Sequence, residues 1–513
     1  MKQFLKKPLG LAVAATMAIG GMSAYTNATA AVDANALGDL ALVPYYTVRD
    51  NFVTGVHIIN TSDQTQVVKM RLRRGSDSAD ALDFNIIMSP YDVWVGTIND
   101  DDDALGITST DNTCTAPVAN GTDSLGRPKF VAPAIFAANN AADEGYLEVI
   151  GMAQADETQP ISVGALHGAN GMPADCDAVR ANFRFANGTG AVGVASTATR
   201  GVLSNSLTRS NAGTLAAAQG DSDFTGTDNV LKVSYFIRDS QTGMEMGDNA
   251  THIVDFVDDA TAAGAMMTNQ EFGINSGDVT GFDFPDLNGG SLLNGVGIVG
   301  PAKGRYDASI RESLGSDAIL NDWSFNSANG VSTDWVVTIP GQYTMDNPAD
   351  NGSVIIDGSA DLVDHRDLPV RATFEVFDRE EATAVAEDGG LVISPSPFVE
   401  NPTTDFTRET NVIEWGGKTV FNTVAPTAVS TGLVNTTGWA NLTIASTKTI
   451  APAVDTRVIY DQTDRTGAAN EPQAGWANQG VPVIGFTAWQ RTFTDASKNY
   501  GRIVAHSRVN PTP

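Results

Sequence analysis

Cationic side chains are scarce in this chain. It has 31 lysines and arginines against 60 aspartates and glutamates, a net charge of -29 over 513 residues. The field of such a surface repels nucleic acid and anionic lipid, so neither is an expected partner. Histidine is rarer still, with five copies, and none forms an HxH or HExxH arrangement. No GxSxG elbow occurs, and no glycine-rich loop joins a convincing strand to a helix, so the usual nucleophile and phosphate signatures are missing. Beyond the first thirty residues no run is long and apolar enough to cross a bilayer as a helix. No fixed repeat period appears, which excludes a solenoid or propeller reading. There are only two cysteines, Cys114 and Cys176. Neither has a histidine or second cysteine at ligand spacing, so zinc is not indicated.

What is present begins at the amino end. Lys2, Lys6 and Lys7 precede the apolar stretch Leu9 to Met22, and Ala28, Thr29 and Ala30 follow as a small-residue cleavage site. That order is a secretory signal peptide over residues 1–30, with Ala31 as the mature start. The apolar run is shorter than the roughly 20 residues a membrane span needs. The expected address is the cell surface or medium, with the periplasm as the alternative. Export keeps thiols in an oxidising setting, so Cys114 and Cys176 are expected to pair. In the chain-entropy picture that bridge stabilises by about 4 kcal/mol.

Period-two alternation dominates the rest. Val68, Met70 and Leu72 share one face of QVVKMRLRR, and Val67, Lys69, Arg71 and Arg73 the other. Phe84, Ile86 and Met88 repeat the pattern, as do Leu231, Val233, Tyr235 and Ile237, then Trp335, Val337 and Ile339, then Ala372, Phe374 and Val376. Alternation of this kind predicts strands with one apolar face. Short helices are predicted near 173–183 and in ASIRESLGSDAIL from Ala308. The fold class expected is mainly β, an antiparallel β-sandwich architecture with long loops and short helices. The chain divides into 31–200 and 225–513, two β-rich regions that form either separate domains or one interlocked body. A closed outer-membrane barrel needs longer, more even strands than these.

The segments LDFNIIMSPYDVWVG, EGYLEVIGMA, GMPADCDAVRANF, STDWVVTIP, GLVNTTGWANLTI and VPVIGFTAW together resemble a family of exported, largely uncharacterised β-rich proteins of Gram-negative bacteria, chiefly proteobacteria. The resemblance spans most of the chain after residue 30. It implies export and a β-rich fold, and it implies no catalytic residues.

Candidate sites follow from residue chemistry. Calcium takes several hard oxygen ligands. Asp100, Asp101, Asp102 and Asp103 form an acidic run, and Asp283, Asp286 and Asn288 sit among flexible glycines. Neither matches a complete EF-hand loop. A glycosidase needs two acids across a sugar bond, for which Glu144 with Glu148, or Asp364 with Asp367 beside His365, are the nominees. Seven tryptophans raise the prospect of stacking on sugar faces. Trp335, Trp415 and Trp439 lie in strand-like runs, where core packing is the default. Trp476, in PQAGWANQG, is the most loop-like and the candidate ligand contact. The leading functional expectation is a non-enzymatic envelope scaffold, surface-layer-like or adhesin-like, which self-associates or attaches through calcium. A polysaccharide-binding protein and a hydrolase assembled from distant loops are the alternatives.

Overall fold

Strand pairing organises this chain, as the alternation requires. The computed structural model describes residues 31–133 apart from 79, 102 and 103, then 142–180, 224–256, 313–340, 370–382, 403–444 apart from 430, 432 and 434, and 481–509, with a few isolated positions besides. Among these no helix is long and apolar enough to cross a membrane.

The first sandwich opens with Leu40–Thr47 (β1), Phe52–Asn60 (β2), Thr65–Arg74 (β3), Asp80–Met88 (β4) and Val93–Asn99 (β5). Gly106–Thr108 (β6), Cys114–Ala116 (β7), Pro128–Val131 (β8) and the long Glu144–Ala155 (β9) follow. Two short helices come next, Pro160–Ala165 (α1) and Cys176–Arg180 (α2). Leu231–Asp239 (β10), Glu245–Asn249 (β11) and Thr251–Val254 (β12) complete it. One sheet runs β12-β1-β9-β3-β4-β7 and the other β11-β10-β2-β5-β6-β8. The alternating apolar residues of β3, β4 and β10 all face the core between them. Residues 231–254 thus join the amino-terminal sandwich rather than the later strands. β10 pairs along the whole of β2, from Leu231 opposite Asn60 to Asp239 opposite Phe52. Every backbone N–H and C=O near the core needs a partner, and an open edge of the earlier sheet supplies it.

The polar face of β3 is not solvated. Lys69, Arg71 and Arg73 are fully buried, as are Asp80, Asp83 and Glu148. Register explains the match: Arg71 lies between Asp83 of β4 and Glu148 of β9. Arg71 Nε is 3.2 Å from Asp80, and Arg73 Nε is 3.0 Å from Glu148. Burial pushes the Asp80 carboxyl up to about 6, with Arg71 pulling against it. Cys114 and Cys176 are bonded, with Cα atoms 5.3 Å apart, tying the edge strand β7 to α2.

The second sandwich uses Ala318–Ser324 (β13), Val331–Thr338 (β14), Val370–Asp378 (β15), Thr403–Phe406 (β16) and Thr410–Trp415 (β17). Pro426–Val429 (β18), Thr437–Ile444 (β19), Ile484–Arg491 (β20), Tyr500–Ala505 (β21) and Ser507–Val509 (β22) follow. Its sheets run β16-β15-β19-β13-β22 and β18-β17-β14-β20-β21. Trp323, Trp335, Trp415 and Phe374 fill the core between them. β13 occupies the end of the segment predicted to be helical. Ile319 and Trp323 sit four apart, a spacing both periods allow, and pairing with β19 and β22 decides for the strand.

The β14–β20 sheet is a shared middle layer. Trp335 and Val337 face the second core, while Val336, Phe486 and Ala488 join the first. Phe421 packs against Tyr45, Phe52 and Phe486, with centroids 5.0, 5.8 and 6.2 Å away.

Candidate functional site

Several nominated residues lie outside the described positions: Asp102, Asp103, Asp283, Asp286, Asn288, Asp364, His365, Asp367 and Trp476. Of the acidic run, Asp101 caps a neighbouring turn, its carboxylate accepting from Ser124 N at 2.8 Å. The described residues contain no group of three or more histidine, cysteine or carboxylate side chains placed to hold a metal.

Glu144 and Glu148 are each held by their own partners. Glu144 accepts from Tyr45, from Arg408 at 2.9 Å and from Thr423 at 2.9 Å. Glu148 takes Arg73 through both oxygens, at 3.0 and 3.3 Å. The described histidines are similarly placed in the fabric. His252 Nε2 accepts from Val233 N while Nδ1 faces Ala250 O at 2.8 Å, and burial holds its pKa down to about 4. His506 Nε2 lies 3.0 Å from Val336 O, and burial holds it down to about 3. His57 is exposed on β2 and packs edge-on against Phe236. His167 Nδ1 lies 3.2 Å from Ser89 Oγ and 3.8 Å from Asp92 Oδ2. Both contacts use one nitrogen, whereas a charge-relay histidine needs the base and the orienting acid on opposite nitrogens.

A cleft of about 760 Å³ opens where the sandwiches meet, lined by Asp50, Asp239, Glu414, Lys418, Gln490 and Thr492 among others. Asp334, fully buried, secures the loop along its floor. Its Oδ2 accepts from Thr419 Oγ1, Val420 N and Phe421 N at 2.7, 2.7 and 3.1 Å. Burial nevertheless pushes this carboxyl up to about 7. Asp50 and Asn422 meet across the junction at 2.7 Å, both with left-handed backbones. The cleft's Asp50 and Asp239 are thus engaged in holding the junction and a turn.

Most exposed aromatics among the described residues gather elsewhere, along the second sandwich, while Tyr91 stands apart between β4 and β5. On β19, Ala440, Leu442 and Ile444 take the core face, which turns Trp439, Asn441 and Thr443 outward. Phe377 and Asp322 sit directly opposite Trp439 on the two flanking strands. The Phe377 and Trp439 rings stack at 4.6 Å and 16°. Gly438 lets the two strands lie close beside these rings, because a Cβ there would meet the Phe377 carbonyl oxygen. Asp322 Oδ2 binds Arg502 at 2.7 Å, and the Arg502 guanidinium lies 5.8 Å from the Trp489 ring centre. Trp489 contacts Tyr500 at 5.6 Å, Tyr500 contacts Phe493 at 6.1 Å, and Arg491 covers Phe493 at 4.8 Å. Trp439, Tyr500 and Phe493 expose 44, 48 and 38 % of their surface. The result is a strip of ring faces joined by an ion pair and flanked by the Asn441 amide and the Glu375 carboxylate, themselves bonded at 2.8 Å.

No family model, curated protein or solved structure matches this chain.

Trp335 and Trp415 are core residues as expected, while Trp439 is not. The signal was available in WANLTI: the three aliphatic side chains claim one face of a strand, so the tryptophan falls on the other.

Proposed function

We propose that this is an exported, non-catalytic polysaccharide-binding protein whose ligand lies along the Phe377–Trp439–Trp489–Tyr500–Phe493 strip. Export rests on the character of residues 1–30 and on the resemblance to exported Gram-negative proteins. The observation that carries the binding reading is the placement of three large aromatics at the surface of a sandwich that has already filled its core with Trp323, Trp335 and Trp415. Pyranose rings offer flat C–H faces, which stack on aromatic planes, and hydroxyls, which bond paired ions and amides. Aromatic side chains supply large contact area at low conformational cost. The strip is exposed and built largely on strands, which hold side chains more rigidly than loops do and leave a long chain room to pass.

The test is affinity electrophoresis through gels containing soluble polysaccharides, with depletion onto insoluble ones. Wild-type protein is expected to be retarded by at least one polymer. Trp439→Ala with Tyr500→Ala is expected to lose that retardation while keeping its melting temperature, since both side chains are exposed. Retention that survives the double substitution would place the ligand elsewhere.

A further inference from the structure

We infer that the strip selects polysaccharides bearing carboxylates, that is, chains containing uronic acids. This rests on the polysaccharide reading and goes on to name the ligand's charge. The argument is electrostatic. In a chain whose acids outnumber its bases 60 to 31, the Phe493 end of the strip gathers Arg491, Arg502 and Lys498 against Asp322 and Asp495. Asp495 is taken by Lys498 at 3.1 Å, and Asp322 by one terminal nitrogen of Arg502. Among these five side chains cations outnumber anions three to two, while exposed Glu245 and Asp248 stand on β11, the strand packed beside β21.

The guanidinium groups are also incompletely used. Arg502 carries five N–H donors in a planar fork and commits one nitrogen to Asp322, leaving the rest at a half-exposed site. Arg491 makes no ion pair among the described residues, and its guanidinium lies over the exposed Phe493 ring. A planar fork beside a ring face suits a uronate residue. The pyranose stacks on the ring, and its carboxylate takes two parallel N–H bonds from the neighbouring arginine. The molecule's overall repulsion of a polyanion does not override this. At physiological ionic strength charges more than about 8 Å away are largely screened.

The experiment compares polygalacturonate and alginate with neutral dextran and hydroxyethylcellulose, using the full-length mature protein in affinity gels. The uronate polymers are expected to bind more tightly. Arg491→Gln with Arg502→Gln should weaken uronate binding by about tenfold or more and weaken any neutral binding by a clearly smaller factor. Arg491→Lys with Arg502→Lys keeps the charge but not the fork, and should retain part of the preference. This second pair guards against loss of folding, which melting curves report. Equal affinity for neutral and uronate polymers overturns the inference while the polysaccharide reading stands. So does a uronate preference that persists in the glutamine pair, or an equal loss on both polymer classes. No binding to any polymer removes the reading itself.

Discussion

Asp334 shows how one side chain can make the junction sensitive to pH. It sits on the middle sheet, fully buried, with three donors on one oxygen and none on the other. The donors favour the charged form, but burial outweighs them and raises the carboxyl from 3.8 to about 7. A carboxyl whose folded pKa is raised stabilises when protonated. Its contribution is fully present below about pH 4 and is lost as pH rises through about 7. Asp334→Asn, neutral at every pH, is therefore expected to be more stable than wild type at pH 8 by about 2–4 kcal/mol. The two should converge towards pH 4, as read from denaturant midpoints across that range. A constant difference at all pH values would mean that titration of Asp334 is not the cause. The sequence gives no hint of this residue's role. STDWVVTIP marks Asp334 as a polar-face residue of a strand, and only packing of the first sandwich onto that face buries it. Trp439 is the opposite case, since alternation within β19 assigns it outward with no tertiary information at all.

Among the elements, β3 and the disulfide-tied excursion carry the main lessons. The alternation of β3 was legible, but its second face reads as solvent-exposed because three cations lie on it. Burial becomes tolerable only because β4 and β9 bring Asp83 and Glu148 into register with Arg71. A buried ion set of this kind adds little net stability over an apolar replacement, but it penalises a register slip that would separate the charges. The Cys114–Cys176 bond closes a separation of 62 residues and fastens the three-residue β7 to a five-residue helix. Elements so short contribute little alone. Arg180 Nε adds one bond to Thr115 O at 2.8 Å. Replacing both cysteines with serine is expected to cost about 4 kcal/mol of stability, measured by denaturant unfolding of oxidised wild type against the variant. A change near zero would mean that the helix and β7 are held by packing alone.

At the scale of the molecule, the described residues form a stack in which the two sandwiches share a sheet face. Phe421 is the wedge between them, set among Tyr45, Phe52 and Phe486. Around it Glu144 clamps Arg408 and Thr423, and Thr338 Oγ1 donates to Pro44 O at 2.6 Å. Calorimetry of the wild type is expected to show one cooperative transition. Phe421→Ala should lower stability by about 3–5 kcal/mol through the cavity it leaves and split the transition as the halves uncouple. A single unshifted transition would show that the junction contributes little. The sequence by itself determined the β class, the inward faces of nearly every strand named in advance, and the two cysteines as partners. These follow from local alternation and from the count of available thiols. Only the tertiary structure decided that residues 231–254 complete the first sandwich, that Lys69, Arg71 and Arg73 are buried, and that Trp489, Arg502 and Trp439 form one strip. Each of these depends on which strand edge meets which, and hydrogen-bonding edges are chemically alike in every strand, so no local pattern can specify their pairing.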